Sequence, residues 1–339
     1  MGFVFYVTMF SDFLRFVLQM GRLRIIFFVA AMTLWQSAMA EHEVDSVLVG
    51  LETELAGLSE QLAQSRYDDA RQDSLATRIN DLLGNALKRD NSFEYPFDNL
   101  KNNISIVASP DGRLKVFTWF SVGDAGNYHY YGYLQYNDKQ DRKINLFELK
   151  DCGSNVENYE NLTLTPQNWR GMLYYAVIEK KNQGDVTYTL IGWDGCGLYT
   201  TKKIIEPLTF TDKGQPRFGK SMIKVGRKKL KRLVFEYNKR ASLMVQYDAT
   251  LDMIVFDHLT IMGTQETDNP MFFAPDMSYD ALKFEDGVWF YQSNIKYKPS
   301  SGAKEKRQRK EPSNADKPRA KQFYESGKKA KSGEEPMER

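Results

Sequence analysis

The chain has 339 residues, 13% of them aromatic, and a formal net charge of +2. That charge is unevenly spread: residues 1–40 carry +2 and residues 300–339 carry +5, which leaves about −5 on residues 41–299. Two cysteines and three scattered histidines (His42, His129 and His258) show no ligand spacing, so a zinc centre is excluded and no metal or cofactor is expected.

Residues 20–40 predict a secretory signal peptide. Arg22 and Arg24 give the positive start, Ile25–Trp35 the apolar middle, and Ala38-Met39-Ala40 the small-residue site, so cleavage is expected after Ala40. The apolar run is shorter than the ~20 residues a membrane-spanning helix needs. Asp12 and Arg15 interrupt Phe3–Phe10, so residues 1–19 read as an over-long start ahead of Met20, with an uncleaved anchor as the competing reading. With no cysteine near the cleavage site, lipid attachment is excluded. The mature chain is expected in the periplasm or outside the cell, without an integral membrane span.

Residues 41–92 predict helix. Val44, Leu48, Leu51, Leu55, Leu58 and Leu62 alternate spacings of four and three, the seam of a coiled coil, and Leu75, Ile79, Leu82 and Ala86 repeat it. The polar stretch between them can hold the turn of a hairpin. The seam over 44–62 serves either as an intramolecular brace or for self-association.

Residues 93–298 change to short aromatic and β-branched runs bounded by turns. Strands are expected at Ile104–Ala108, Leu114–Ser121, Tyr128–Tyr136, Ile144–Leu149, Met172–Lys180, Val186–Trp193, Leu198–Phe210, Arg232–Tyr237, Leu243–Tyr247, Met253–Leu259, Tyr279–Phe284 and Val288–Ile295. Asp111-Gly112, Asp194-Gly195 and Asp286-Gly287 mark turns. No connection has the length and apolarity of a crossover helix, so the sheets should be antiparallel. The fold class expected is mainly β: an antiparallel meander, propeller-like or a large sandwich, with an N-terminal helical segment. Residues 299–339 are disordered by composition, and the basic cluster Lys304–Lys310 reads as part of a solvated tail rather than a nucleic-acid contact.

Cys152 and Cys196 suggest one disulfide in an exported chain, closing a loop of about 45 residues and contributing roughly 4 kcal/mol by chain entropy. Two unpaired thiols are the alternative.

Four stretches carry a resemblance: Tyr95-Pro96-Phe97-Asp98, Ser109-Pro110-Asp111-Gly112, Leu190-Ile191-Gly192-Trp193-Asp194-Gly195 and Met253-Ile254-Val255-Phe256-Asp257-His258-Leu259. Over Phe93–Tyr297 the chain resembles an uncharacterised family of exported bacterial β-rich proteins with no established activity. The resemblance implies a β domain and an extracytoplasmic location, and no function.

Gly214-Gln215-Pro216-Arg217-Phe218-Gly219-Lys220-Ser221 matches the phosphate-loop pattern. That loop needs a parallel α/β sheet and a helix beginning at the lysine, whereas Gly226 and Arg227-Lys228-Lys229 interrupt any apolar stripe, so a β-turn explains it better. Asp257 and His258 are strand neighbours and should point to opposite faces. No nucleophile motif of the GxSxG kind occurs. The best candidates for function are aromatic: Trp119, Tyr128, Tyr130, Tyr131, Tyr133 and Tyr136 on adjacent strands and Trp193 with Asp194 at another turn, of which Trp119, Tyr131, Tyr133, Trp193 and Asp194 are expected to bind a ligand. Exposed rings beside carboxylates suit the apolar faces and hydroxyl rims of sugars, though core packing would also use them. Glu148, Asp151, Asp194 and Glu236 are the carboxylates available to a glycoside hydrolase. The expectation is a non-catalytic binding or envelope-associated module whose partner is a glycan or an envelope protein; an extracytoplasmic carbohydrate-active enzyme is the alternative.

Overall fold

The computed structural model describes residues 45–65, 68–123, 126–138, 143–153, 159–195, 197–263 and 267–299. The expected signal peptide and cleavage site, Cys196 and the residues from 300 onward lie outside the described residues. Backbone contacts divide the chain into two units, Met1–Val49 and Gly50–Arg339. Of the first, residues 45–49 are described: they open helix α1 (Ser46–Gln64), where the Asp45 carboxylate accepts from the Val47 N–H at 3.0 Å and Leu48 N–H at 3.3 Å.

In the second unit α1 continues and is followed by α2 (Asp69–Leu87), capped by the Asp68 side chain, which accepts from the Arg71 N–H. Gln72 Nε2 donates to the Leu62 carbonyl at 2.6 Å, and Arg78 pairs with Glu54 at 2.5 Å, so the two helices run antiparallel. The expected coiled coil is corrected here. Leu55, Leu58 and Leu62 are buried inside the chain, and Glu52 on the same helix accepts from Tyr95 Oη at 2.6 Å and the Asn99 N–H at 2.8 Å. A two-helix unit this short cannot bury its seam alone, and docking on its own domain satisfies it.

The strands are β1 (Ser105–Ala108), β2 (Leu114–Val122), β3 (Tyr128–Asp138), β4 (Lys143–Lys150), β5 (Leu173–Asn182), β6 (Asp185–Asp194), β7 (Thr200–Phe210), β8 (Pro216–Phe218), β9 (Ile223–Val225), β10 (Lys228–Leu230), β11 (Leu233–Asn238), β12 (Val245–Asp248), β13 (Met253–Ile261), β14 (Phe273–Glu285) and β15 (Val288–Gln292). They form three sheets: β1-β2-β3-β4; β11-β7-β6-β5 with β8 on β7; and β10-β9-β15-β14-β13-β12. Among the described strands every pairing is antiparallel except β15 with β9, where Trp289 faces Ile223. The mainly β, antiparallel reading therefore holds, with one parallel pair added by a strand of three residues. Asp286 (φ 49°) and Gly287 (φ 79°) make the two-residue turn that Asp-Gly promises. Asp194-Gly195 does not: Asp194 ends β6, and β7 begins only at Thr200.

Two cores lie between the sheets. Leu114, Val116, Tyr130, Leu134, Tyr174, Leu190 and Leu208 fill the one shared by the first and second sheets. Ile191, Ile205, Ile223, Ile254, Phe256 and Trp289 fill the one shared by the second and third. Because Leu190 faces one core and Ile191 the other, β6 is covered on both sides, so its sequence runs apolar instead of alternating. Helix α2 covers the outer face of the first sheet: Tyr133 Oη donates to the Asn80 carbonyl at 3.1 Å, and Gln135 Nε2 donates to the Leu87 carbonyl at 3.1 Å.

Candidate functional site: an aromatic rim over a closed polar network

One end of the first two sheets brings together the end of β2, the start of β3, the end of β6 and the turn after β11. The register sets Val122 opposite Tyr128 and Phe120 opposite Tyr130, so Phe120, Tyr128 and Tyr130 share a face. Trp193, from the neighbouring sheet, completes the group. Its ring centroid lies 5.5 Å from Tyr128 at 88° and 5.9 Å from Phe120, and Phe120 sits 5.2 Å from Tyr128. All three rings are half-buried. The Trp193 indole N–H is not sealed from solvent and bonds to no described residue. Lys239 Nζ lies 5.1 Å from the Tyr128 ring centroid and donates to the carbonyls of Gly195 (3.2 Å) and Gly197 (2.8 Å). Its backbone N–H donates to the Tyr199 carbonyl at 2.9 Å, and the Tyr199 side chain is exposed.

A closed polar network lies beneath the rim. Asp194 is buried, pairs with Arg170 at 3.0 Å and accepts from Tyr130 Oη at 3.1 Å; that hydroxyl in turn accepts from the Gly195 N–H at 2.7 Å. Burial, reinforced by the Asp194 charge, pushes the Tyr130 phenol well above its ordinary range, so it serves as a neutral donor. Deeper in, Trp169 Nε1 donates to Tyr174 Oη at 3.0 Å, Tyr174 donates to Glu206 at 2.7 Å, and Arg232 pairs with Glu206. Asp151 accepts three backbone N–H groups, from Tyr130 (3.1 Å), Gly153 (2.8 Å) and Gly171 (3.0 Å).

The four carboxylates open to hydrolase chemistry are therefore all engaged. Asp194 and Asp151 are held as above, Glu236 takes Lys202 at 3.2 Å and Thr200 Oγ1 at 2.6 Å, and Glu148 accepts from Asn80 of α2 at 3.0 Å. The five aromatic-cluster residues singled out from sequence separate onto two faces. Trp193 and Asp194 belong to the rim and its support. Trp119, Tyr131 and Tyr133 lie on the opposite face of the first sheet, where Trp119 stacks on Tyr131 at 5.6 Å and 14° and on Tyr133 at 6.3 Å. Trp119 and Tyr133 are buried there beneath α2. Burial, then Glu148, pushes Tyr133 up to about 12. Phe120, Tyr199 and Lys239 were not singled out, and Tyr128 stood only within the wider aromatic cluster. The alternation that groups Tyr128 with Tyr130 was legible, but Lys239 reaches the rim from 46 positions beyond Trp193 in the chain.

The expected disulfide is corrected: Cys152 is a free, half-buried thiol. Its N–H is tied to the Trp169 carbonyl at 2.9 Å and its sulfur faces the Asn168 carbonyl at 3.5 Å, so the residue is committed to the entry of β5. Burial, then the Asp151 charge, raises the thiol's pKa. The phosphate-loop match dissolves into strand geometry. Gly214 sits in the turn from Thr211 to Gln215, β8 follows, and Gly219 (φ 88°) leaves room for the Arg232 guanidinium and the Leu162 carbonyl. Lys220 leads into β9, with no helix. His258 meets Asp280 across the sheet, Nδ1 to Oδ2 at 2.7 Å, while Asp257 accepts the Met244 N–H at 2.6 Å.

Among the described residues no three His, Cys, Asp or Glu side chains are grouped to hold a metal ion, and no helix is long and apolar enough to cross a membrane. No family model, curated protein or solved structure matches this chain, so the site is read from its own residues.

Proposed function

We propose that this chain is an exported, non-catalytic glycan-binding module whose ligand seats on the rim of Phe120, Tyr128 and Trp193. The observation that carries the reading is the combination at Trp193: a half-buried ring face, an indole N–H without a described protein partner, and a neighbouring carboxylate already committed to Arg170 and Tyr130. A sugar ring offers an apolar C–H face to such a surface and a hydroxyl oxygen to the free N–H. Hydrolysis would instead require two carboxyl groups directed at the ligand, and Asp194 and Asp151 beneath the rim are both held by internal partners.

Export is supported by the apolar run Ile25–Trp35 ahead of Ala38-Met39-Ala40. A propeller-like arrangement is favoured over a two-sheet sandwich because first strands of successive meanders lie against one another. Ser105 Oγ of β1 donates to the Tyr174 carbonyl of β5, and Tyr175 Oη of β5 donates to the Val245 carbonyl of β12.

The test is titration of the mature chain against an array of cell-envelope glycans, followed by an assay of bound glycans for cleavage. Trp193→Ala should weaken binding by about tenfold or more, the loss of a central aromatic anchor. Trp119→Phe, beneath α2, should leave affinity unchanged. Equal affinity of the Trp193 variant, or turnover of the bound glycan, overturns the proposal.

A further inference from the structure

A different feature stands out in the third sheet. Between β13 and β14 the register passes from Asp257 opposite Tyr279 to Leu259 opposite Pro275. One residue of β13, His258, therefore faces three of β14: Asp276, Met277 and Ser278. The two extra residues form a bulge. Asp276 Oδ1 accepts from both the N–H (2.9 Å) and the hydroxyl (2.7 Å) of Ser278, which closes a tight turn around Met277. Met277 is left with φ 74°, a conformation that side-chain-bearing residues seldom adopt, and with 89% of its surface exposed. The strand pairs with β13 both before and after it, and a methionine within a paired strand would ordinarily pack into a core. Met172, Met222 and Met244 do so, at 0%, 2% and 3% exposure.

We infer that Met277 is an oxidation site that takes a hydroperoxide as its two-electron oxidant. A sulfur lone pair attacks the terminal peroxide oxygen. The S–O bond forms as the O–O bond breaks, the departing oxygen takes up a proton to leave as water or an alcohol, and the transferred oxygen gives its own proton to solvent. Methionine loses two electrons to become the sulfoxide, and the peroxide gains them. The bulge makes this harmless to the fold, because the new S–O dipole stays in water, whereas the same change at Met222 or Met244 would place it in a core.

The experiment exposes the folded full chain to hydrogen peroxide and follows each methionine by peptide mass spectrometry. Met277 should be the first described methionine to gain an oxygen, about twice as fast as Met262 or more, in proportion to exposures of 89% and 44%. Met172, Met222 and Met244 should remain unmodified until the chain unfolds, and the melting temperature should be unchanged after Met277 has reacted. Met277→Leu should abolish the fast phase, and the wild-type map stands alone if that variant folds poorly. Oxidation of Met262 or a buried methionine at an equal rate, or a fall in melting temperature tracking Met277 sulfoxide, would overturn the inference.

Discussion

Arg232 offers a direct test of how the network beneath the rim holds the second sheet. Its side chain and that of Glu206 are both fully buried, and the two form an ion pair. The guanidinium also bonds the backbone carbonyls of Tyr159, Leu162 (2.6 Å) and Phe218 (3.0 Å), so that with Glu206 on β7 it ties three separate segments to one side chain. Arg232→Met keeps most of the volume and removes the charge. Glu206 is then left in an apolar interior with one remaining donor, Tyr174 Oη at 2.7 Å. Breaking a buried pair from one side costs about 3–5 kcal/mol, because the surviving charge stays desolvated and uncompensated. Against a total stability of about 5–15 kcal/mol, that is a large share. Replacing both partners, Arg232→Met with Glu206→Leu, removes the stranded charge, so the double variant should be more stable than Arg232→Met alone. Urea unfolding gives the comparison through midpoints at constant slope. A single-variant cost below about 1 kcal/mol, or a double variant whose loss equals the sum of the two singles, would refute the reasoning.

Two further outcomes follow from geometry and charge. A Cβ at Gly195 would lie 2.4 Å from the Tyr128 ring, so Gly195→Ala should cost about 1–3 kcal/mol, whereas Gly57→Ala, in open space on α1, should add about 0.5–1 kcal/mol. Urea midpoints that moved in the same direction for both would contradict the packing described. Burial lowers Lys115 to about 8, although its ammonium donates to the Phe93 and Tyr95 carbonyls. Since the unfolded lysine titrates near ~10.4, the folded chain binds fewer protons between those values, and the contribution of this residue to stability rises with pH across that window. Lys115→Met should remove that rise. Parallel pH profiles for the two proteins would show that Lys115 does not titrate as described.

Particular residues show where the sequence was enough. Leu75 and Ile79 share a helical stripe by spacing alone, and Asp286-Gly287 specifies a hairpin because both positions must adopt positive φ. The short strands β8 to β10 were not legible, since three residues carry no periodicity. β14 was read as starting at Tyr279, six residues after its true start at Phe273, because the bulge at 276–278 breaks its alternation. At the rim, Trp193 and Asp194 could be named but not their relation: the ring faces outward while the carboxylate is buried against Arg170 and Tyr130.

Local order was determined by the sequence, because turn chemistry, helix capping and hydrophobic period act over a few residues at a time. A mainly β chain with a helical pair at its start follows from those terms. Which face of each strand meets a core, which aromatic side chains reach solvent and which carboxylates are already paired were decided by tertiary structure. Those outcomes depend on packing between segments far apart in the chain: α2 covers Trp119 and Tyr133, and the turn after β11 carries Lys239 to Tyr128. No local term contains that information, because the energy of a buried ring or a desolvated carboxylate is set by what is packed against it.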